Sequence, residues 1–307
     1  MDHDARLSQL RAGLMRHRGV RRSTEQASDA ELEQTLRAVH EPDYLRALAG
    51  VCERQREPLL LGEFAAPGMA PDTPVCAEVL AAAFAGARSA IAAARLILAG
   101  ERFAYALCGP PGHHAGPSWL GGCCYLNNAA AAAHTLSEAG AGPVGILDLD
   151  IHYPNGTAAI VARTRDTLLH SLHAWPVVNI PCSSAQPCSE REHVIEFKHA
   201  PSEERYLQAL AGSIESLAGS SAVLVASLGY DTVAGDPHGC WGFSAQIFVE
   251  IGRLLAASGV AVCVIQEGGY ALDSLAACSY AFASGLLAAS EPLAAGAVAG
   301  ACAGAGR

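Results

Sequence analysis

The sequence has few charged or aromatic residues, and it has none of the signals of an exported or membrane-spanning chain. Charged residues make up 16% and aromatic residues 6% of the 307 positions, while apolar residues make up 51%. The opening segment MDHDARLSQL is polar, unlike a secretory signal, and no uninterrupted apolar run reaches the about 18 residues of a membrane helix. This composition predicts a compact globular protein in the cytoplasm with no membrane partner.

The eleven cysteines lack the spacing of a disulfide framework or of a CxxC metal site. Disulfide frameworks belong mainly to small secreted domains, so we expect reduced thiols. The formal net charge of −10 argues against a phosphate-binding surface, and therefore against nucleic acid as a direct partner. It is compatible with a cationic small molecule. The oligomeric state is left open.

Alternating strand and helix patterns predict the fold class. Short apolar runs that end in Gly, Pro or Asp indicate buried parallel strands at 102–109, 143–152, 221–231 and 260–270. Helical patterns lie at 74–99, capped by Thr73-Pro74, at 202–218, and at 244–258, capped by Ser244. We therefore predict a single-domain α/β protein over residues 1–290, with a doubly wound, mostly parallel sheet flanked by helices. A low-complexity Ala/Gly tail follows over 291–307.

The segment LDLDIHYPNGT, residues 147–157, ends a buried strand with alternating acidic and imidazole side chains. Asp148, Asp150 and His152 share one side of that strand, because alternate residues point the same way. Burying them is costly unless a cation or hydrogen bonds compensate. Carboxylate and imidazole are both good zinc ligands, so a metal site is one interpretation and loop hydrogen bonding is the other.

A catalytic zinc usually takes three protein ligands and leaves a position for water. Asp150 and His152 supply two of them. SLGYDTVAGDP offers Asp231 and Asp236 for the third, and Asp236 precedes a proline, which is typical of a turn. This favours Asp231 as the third ligand.

Two further segments place reactive side chains where strands end. GPPGHHAGPSWLGG holds His113 and His114 in a loop stiffened by glycine and proline, and QEGGY places Tyr270 on a Gly-Gly turn. The histidines suit general acid–base work, and the phenol could donate to a developing oxyanion. A histidine pair or a tyrosine that occurs alone in a loop usually has a structural role and not a catalytic one. Their convergence at the carboxyl edge of one parallel sheet favours an active site.

Six segments occur in the order found in the zinc-dependent histone deacetylase superfamily, which includes acetylpolyamine amidohydrolases. They are PPGHHA, GGCCYLNNAA, DLDIH..NGT, SLHA.P, GYDTVAGDP and EGGY. The chain resembles this family from about residue 39 to about residue 275. The resemblance implies an arginase/deacetylase-like α/β fold and a hydrolytic reaction on an acylated amine.

The resemblance also implies specific roles. Its three zinc ligands are Asp150, His152 and Asp231. His114 is the principal general base and acid, with His113 as its electrostatic neighbour, and Tyr270 polarises the acetyl carbonyl.

Residues around this centre receive roles from the same resemblance. Asp148 would accept a hydrogen bond from the first histidine of the pair, and Asn155 would orient the second. A monovalent cation such as K⁺ would involve Asp148 and Ser171. Gly122 and Cys123 would line the substrate tunnel, and Cys123 stands where the family usually has an aromatic side chain.

The favoured function is that of a zinc-dependent amidohydrolase that removes an acetyl group from an acylated amine. GGCCYLNNAA resembles the polyamine branch, which favours an acetylpolyamine or another small amine as substrate. The ligands also suit Fe²⁺, so the ion loaded in the cell is left open. One alternative is an acetyl-lysine protein deacetylase, which shares the zinc site. Another is a non-catalytic ligand-binding module, which a missing ligand, histidine or tyrosine would favour, and none is missing.

Overall fold

A parallel sheet lies at the centre of the computed structural model, which describes residues 3–67, 70–174 and 189–288. The helices are α1 (His3–Met15), α2 (Asp29–Val39), α3 (Pro42–Arg54), α4 (Ala77–Leu98), α5 (Asn128–Glu138), α6 (Asn155–Val161), α7 (Glu203–Ser220), α8 (Ile247–Ala257) and α9 (Leu272–Ala288). The strands are β1 (Leu59–Leu60), β2 (Pro74–Val75), β3 (Phe103–Ala106), β4 (Val144–Asp148), β5 (Thr167–Ala174), β6 (Glu192–Phe197), β7 (Val223–Leu228) and β8 (Ala261–Gln266). The tail predicted for 291–307 lies outside the described residues.

Six strands form the main sheet in the order β3-β8-β7-β4-β5-β6, and all neighbours in it are parallel. One face packs on α1, α7, α8 and α9, and the other packs on α4 and α5. Parallel neighbours need crossover connections, which place helices on both faces of a sheet. The predicted doubly wound α/β fold is confirmed.

The apolar patterns identify four of the main strands and miss β5 and β6. β5 carries four polar side chains, those of Thr167, His170, Ser171 and His173. β6 is one of the two edge strands and includes Glu192 and Glu196. Strands with many polar residues lack the continuous apolar run that marks a buried parallel strand, so the pattern does not reveal them.

The apolar strands end earlier than predicted. β4 ends at Asp148 instead of residue 152, β7 ends at Leu228 instead of 231, and β8 ends at Gln266 instead of 270. The polar side chains that follow therefore lie in loops and not on the strands. These loops share the carboxyl edge of the sheet, where open α/β sheets bind their ligands.

Two predicted helix starts are wrong. Pro74 belongs to β2, which pairs with β1, and α4 begins after Cys76. Thr73 does not cap the helix, because its hydroxyl donates to Asp72 and accepts from a loop amide. α8 begins at Ile247, three residues beyond the predicted cap at Ser244.

Helix α4 is the one described helix whose length and apolar composition would also suit a membrane span. In the fold, 56% of its apolar window is buried, and the helix packs on α3, α5 and β3. Alanine-rich core helices and membrane helices share this composition, so the packing accounts for the apolar side chains of α4.

His40, immediately after α2, ties the N-terminal helices to the loop that precedes α5. Its Nδ1 donates to the Gly116 carbonyl at 2.8 Å, and its Nε2 accepts from the Asn127 amide at 3.0 Å. This pair of bonds requires a neutral ring, because Nε2 must keep its lone pair. Burial lowers the pKa of His40 to about 4.

We expect His40 to make the protein less stable as the pH falls from 6.5 towards about 4. In this window the unfolded chain binds a proton at His40 and the folded chain does not, so protonation favours unfolding. At a pH of about 4, the free energy of unfolding should be about 3 kcal/mol lower for a pKa shift of this size. Denaturant unfolding of the wild type and His40→Asn at both limits measures it. The difference in the free energy of unfolding between the wild type and His40→Asn should be smaller at the lower pH. An equal difference at both pH values would contradict the prediction.

Candidate active site

The predicted site residues converge at the carboxyl edge of the sheet. The loops that carry them follow β3, β8, β7 and β4, which are consecutive neighbours in the sheet. In that order the loops carry His113 and His114, then Tyr270, then Asp231, then Asp150 and His152. Sequence-distant residues meet here because parallel strands end at the same edge.

Three of these side chains point ligand atoms at one another. His152 Nδ1 lies 2.9 Å from Asp150 Oδ1 and 3.2 Å from Asp231 Oδ2. Two ligand atoms on a tetrahedral zinc with bonds of about 2.0 Å are about 3.3 Å apart, so this spacing suits a zinc ion. Asp231 Oδ2 is buried and makes no well-oriented hydrogen bond, and its contact with His152 Nδ1 is the kind that two atoms sharing a cation make.

The charges of this trio depend on one another. Burial, together with the neighbouring Asp150 carboxylate, raises the pKa of Asp231 to about 7. Burial opposes a charge on His152, but its contacts with Asp150 and Asp231 raise its pKa well above the ordinary value. Positive charge placed between these two adjacent buried carboxylates is therefore strongly stabilised.

Glycines make room for the carboxylates of the candidate ligands Asp150 and Asp231. A Cβ at Gly268 would lie 2.5 Å from both Asp150 Oδ2 and Asp231 Oδ2, and a Cβ at Gly229 would lie 2.5 Å from Asp150 Oδ2. The Gly268 amide also donates to Asp150 Oδ2 at 2.8 Å. The turn after β8 thus presses its bare backbone against the ligands and orients one of them.

The two histidines of the β3 loop have different partners. His113 Nδ1 lies 3.3 Å from Asp148 Oδ2, and its Nε2 lies 3.7 Å from Asp150 Oδ1. His114 Nδ1 lies 2.7 Å from Asn155 Oδ1. The centroids of the two rings are 4.0 Å apart. One imidazole therefore faces carboxylates, and the other faces a neutral amide.

These partners give the two histidines different charges at neutral pH. Burial opposes a charge on His113, but Asp150 and Asp148 raise its pKa to about 10. Burial and the charges of His113 and His152 lower the pKa of His114 well below its ordinary value. The site thus pairs a cationic imidazole with a neutral one.

Asp148 and Ser171 are register partners on β4 and β5, and both are fully buried. Ser171 Oγ has no hydrogen-bond partner, and Asp148 Oδ2 makes no well-oriented hydrogen bond besides its 3.3 Å contact with His113 Nδ1. Buried oxygens usually have partners, and oxygens reserved for a bound cation are a common exception.

Gly122 and Cys123 form a turn against the His114 ring. Their φ angles are positive, 54° and 64°. A Cβ at Gly122 would lie 2.4 Å from His114 Cδ2, so glycine is required there. Asp72 accepts from the Gly122 amide at 3.2 Å, and Thr73 accepts from the Cys123 amide at 2.9 Å. The segment before β2 therefore holds this turn in place.

The Tyr270 turn is held by two residues without an assigned role in the sequence analysis. Asp236 Oδ2 accepts from the amides of Tyr270 and Ala271, at 2.5 and 3.0 Å. Arg6 donates to the Gly269 carbonyl and stacks over Tyr270, with its guanidinium carbon 4.4 Å from the ring centroid. Asp236, the alternative zinc ligand, thus supports a turn instead. Arg6 lies in α1, far from every motif, so no local pattern indicates it.

A second buried group, His113, Cys124 and Glu267, also brings potential ligand atoms within 4.8 Å of one another. It does not suit a metal ion. The Glu267 carboxylate already accepts hydrogen bonds from the Gly112 and His113 amides and from Ser227 Oγ. Burial raises the pKa of the Cys124 thiol well above its ordinary value, and the thiolate is the ligand form.

A parallel sheet whose carboxyl edge gathers carboxylates, imidazoles and a phenol on neighbouring loops is the arrangement expected of a metal-dependent α/β hydrolase. The sequence pattern of the histone deacetylase domain family matches residues 1–286, and the chain belongs to this family. Zinc dependence is typical of the family.

Several relatives are acetylpolyamine amidohydrolases. The chain is 36% identical over 214 residues to the Mycoplana ramosa enzyme, covering 67% of this chain and 63% of that protein. It is 34% identical over 227 residues to acetylpolyamine amidohydrolase 1 of Pseudomonas aeruginosa, covering 70% and 65%. These matches span just under two thirds of the relatives' lengths.

The fold is shared with a solved relative, the acetylpolyamine aminohydrolase from Burkholderia pseudomallei. The TM-score is 0.82 at 29% identity, and the superposition covers 93% of this chain and 90% of that one. The resemblance to the family is therefore confirmed in both sequence and fold.

Replacing Gly268 by alanine should weaken zinc binding. The added Cβ would press on both ligand carboxylates, and disturbing groups around zinc ligands typically costs about 10–100-fold in affinity. Zinc content after dialysis at a fixed free-zinc concentration measures the effect. Gly212→Ala in α7 is the control, because its Cβ would meet nothing within 4 Å. Wild-type zinc affinity in Gly268→Ala would contradict this account of the site.

Proposed function

We propose that this chain is a zinc-dependent amidohydrolase that removes the acetyl group from an acetylated small amine, with an acetylpolyamine as the preferred substrate. The observation that carries the proposal is the combination of three converging ligand atoms with a neutral imidazole at their side. The ligands are Asp150, His152 and Asp231, and the imidazole is His114. The proposed catalytic domain extends over residues 1–290.

The proton transfers fall to His114. Asn155 Oδ1 accepts from its Nδ1, which leaves Nε2 of the neutral ring free to take a proton. His114 would take this proton from the attacking water and pass it to the leaving amine. The cationic His113, held by Asp148, would stabilise negative charge that develops beside it.

A zinc ion held by the three ligands would supply a Lewis acid and lower the pKa of water. Burial raises the pKa of Tyr270 well above its ordinary value, so the phenol keeps its proton. It can therefore donate a hydrogen bond to the substrate carbonyl as negative charge develops there. Arg6 and Asp236 hold the turn that presents it.

The preference for a small cationic amine rests on the relatives and on charge. The two curated relatives described above are acetylpolyamine amidohydrolases. The net charge of −10 suits a polyamine, and the exposed Asp72 lies beside the Gly122 turn, against which His114 packs. An acetyl-lysine protein deacetylase is the second candidate, because the chain is also 31% identical over 206 residues to histone deacetylase 15 of Arabidopsis thaliana.

Two further ions are part of the proposal. A monovalent cation such as K⁺ would bind between β4 and β5, where the buried side-chain oxygens of Asp148 and Ser171 support it. Fe²⁺ could replace zinc in the cell, since two carboxylates and an imidazole suit either ion.

Amine release from acetylputrescine and from an acetyl-lysine peptide, with and without a chelator, tests the function. We expect chelator-sensitive turnover, with a higher kcat/KM for acetylputrescine. Asp231→Ala should lose both zinc and turnover, because it removes a ligand. A preference for the peptide would support the second candidate. Turnover of neither substrate by zinc-loaded protein would contradict the acetyl-amine assignment.

Replacing Tyr270 by phenylalanine should lower kcat by about 10²–10³-fold, the usual cost of losing one oxyanion donor. KM and zinc content should change little, since the ring and the ligands remain. Tyr280→Phe, at an exposed position of α9, is the matched control. A Tyr270→Phe variant with wild-type kcat would remove Tyr270 from the proposed chemistry.

A further inference from the structure

Glu267 lies at the start of the turn that carries Tyr270, and its side chain is fully buried. Its Oε2 accepts hydrogen bonds from the Gly112 amide at 2.7 Å and from the His113 amide at 3.2 Å. Its Oε1 accepts from Ser227 Oγ at 3.0 Å. One carboxylate therefore joins the turn after β8 to the histidine loop after β3 and to the end of β7.

The backbone of Glu267 is itself anchored on both sides. Its amide donates to the Leu228 carbonyl at 2.9 Å, and its carbonyl accepts from Arg6 Nη2 at 2.7 Å. The Gly268 amide that follows donates to the ligand Asp150. Because the Glu267 backbone is held in place, its side chain can fix the position of the histidine loop after β3.

The histidine loop depends on this contact. The Gly112 and His113 amides both point at the Glu267 carboxylate. Buried N–H groups without an acceptor are costly, so the loop would shift if the carboxylate were removed. The position of the His113–His114 pair relative to Tyr270 in the proposed reaction centre would then no longer be fixed.

We propose that Glu267 is a positioning residue for the amidohydrolase reaction, and that its side chain sets the placement of the His113–His114 pair relative to Tyr270. The proposal rests on the proposed function of the site. Glu267 acts through the loop amides and does not touch the reacting atoms. A misplacement of about 1 Å can cost on the order of 10²-fold in rate.

Hydrogen-bond geometry, not charge, carries this role. A glutamine has the same shape, and its amide oxygen can accept from the two loop amides. Its NH₂ would then donate to Ser227 Oγ, which can accept as well as donate. A leucine fills similar space and offers no acceptor. Glutamine should therefore keep the loop in place, and leucine should release it.

The kinetic test compares Glu267→Leu, Glu267→Gln and Ser227→Ala with acetylputrescine as substrate. We expect Glu267→Leu to lower kcat about 10²-fold, with little change in KM or zinc content. Glu267→Gln should recover most of kcat. Ser227→Ala removes a bond to the same carboxylate but leaves both loop amides paired, so it should stay within a few-fold of the wild type. Wild-type kcat in Glu267→Leu would overturn the proposal, as would equal losses in the leucine and glutamine variants.

Hydrogen–deuterium exchange tests the positioning without any substrate. The amides of Gly112 and His113 should exchange faster in Glu267→Leu than in the wild type, and they should stay protected in Glu267→Gln and Ser227→Ala. Unchanged protection in Glu267→Leu would overturn the positioning role, whatever the activity. Absence of acetylputrescine turnover in the wild type would instead contradict the proposed function, so the two failures are distinguishable.

Discussion

The structure depends on four buried carboxylates that meet at the carboxyl edge of one sheet. They are Asp148, Asp150, Asp231 and Glu267. Buried charge of one sign is unfavourable unless cations or hydrogen-bond donors compensate it. Here the groups that compensate the negative charge differ from one carboxylate to the next, and each set of partners marks a different part of the site.

Asp150 and Asp231 face His152 and form the group that suits a metal ion. Asp148 lies beside His113, whose raised pKa keeps that imidazole cationic. Glu267 has only neutral donors, two amides and a hydroxyl. One carboxylate pair thus belongs to the candidate metal site, one carboxylate lies beside the charged histidine, and one joins the loops.

The scaffold brings this edge together from distant parts of the chain. Arg6, in the first helix, donates to two carbonyls of the turn that carries Tyr270. Asp236 accepts from the amides on the far side of the same turn. Glycines at 229 and 268 keep Cβ atoms away from the carboxylates of Asp150 and Asp231. The turn is therefore held through its backbone, and the Tyr270 hydroxyl takes part in none of these bonds.

The sequence by itself determined the fold class, because the apolar runs of β3, β4, β7 and β8 and the helical patterns between them are local properties of the chain. It also supplied the site residues as predictions, through motifs such as DLDIH and EGGY whose members lie within a few positions of one another. The sequence pattern did not predict β5 and β6, because polar side chains interrupt their apolar runs. Only the tertiary structure decided the roles of Arg6, Asp236 and Glu267. Their partners lie up to 263 residues away along the chain, and a long-range hydrogen bond leaves no periodic signal in the sequence.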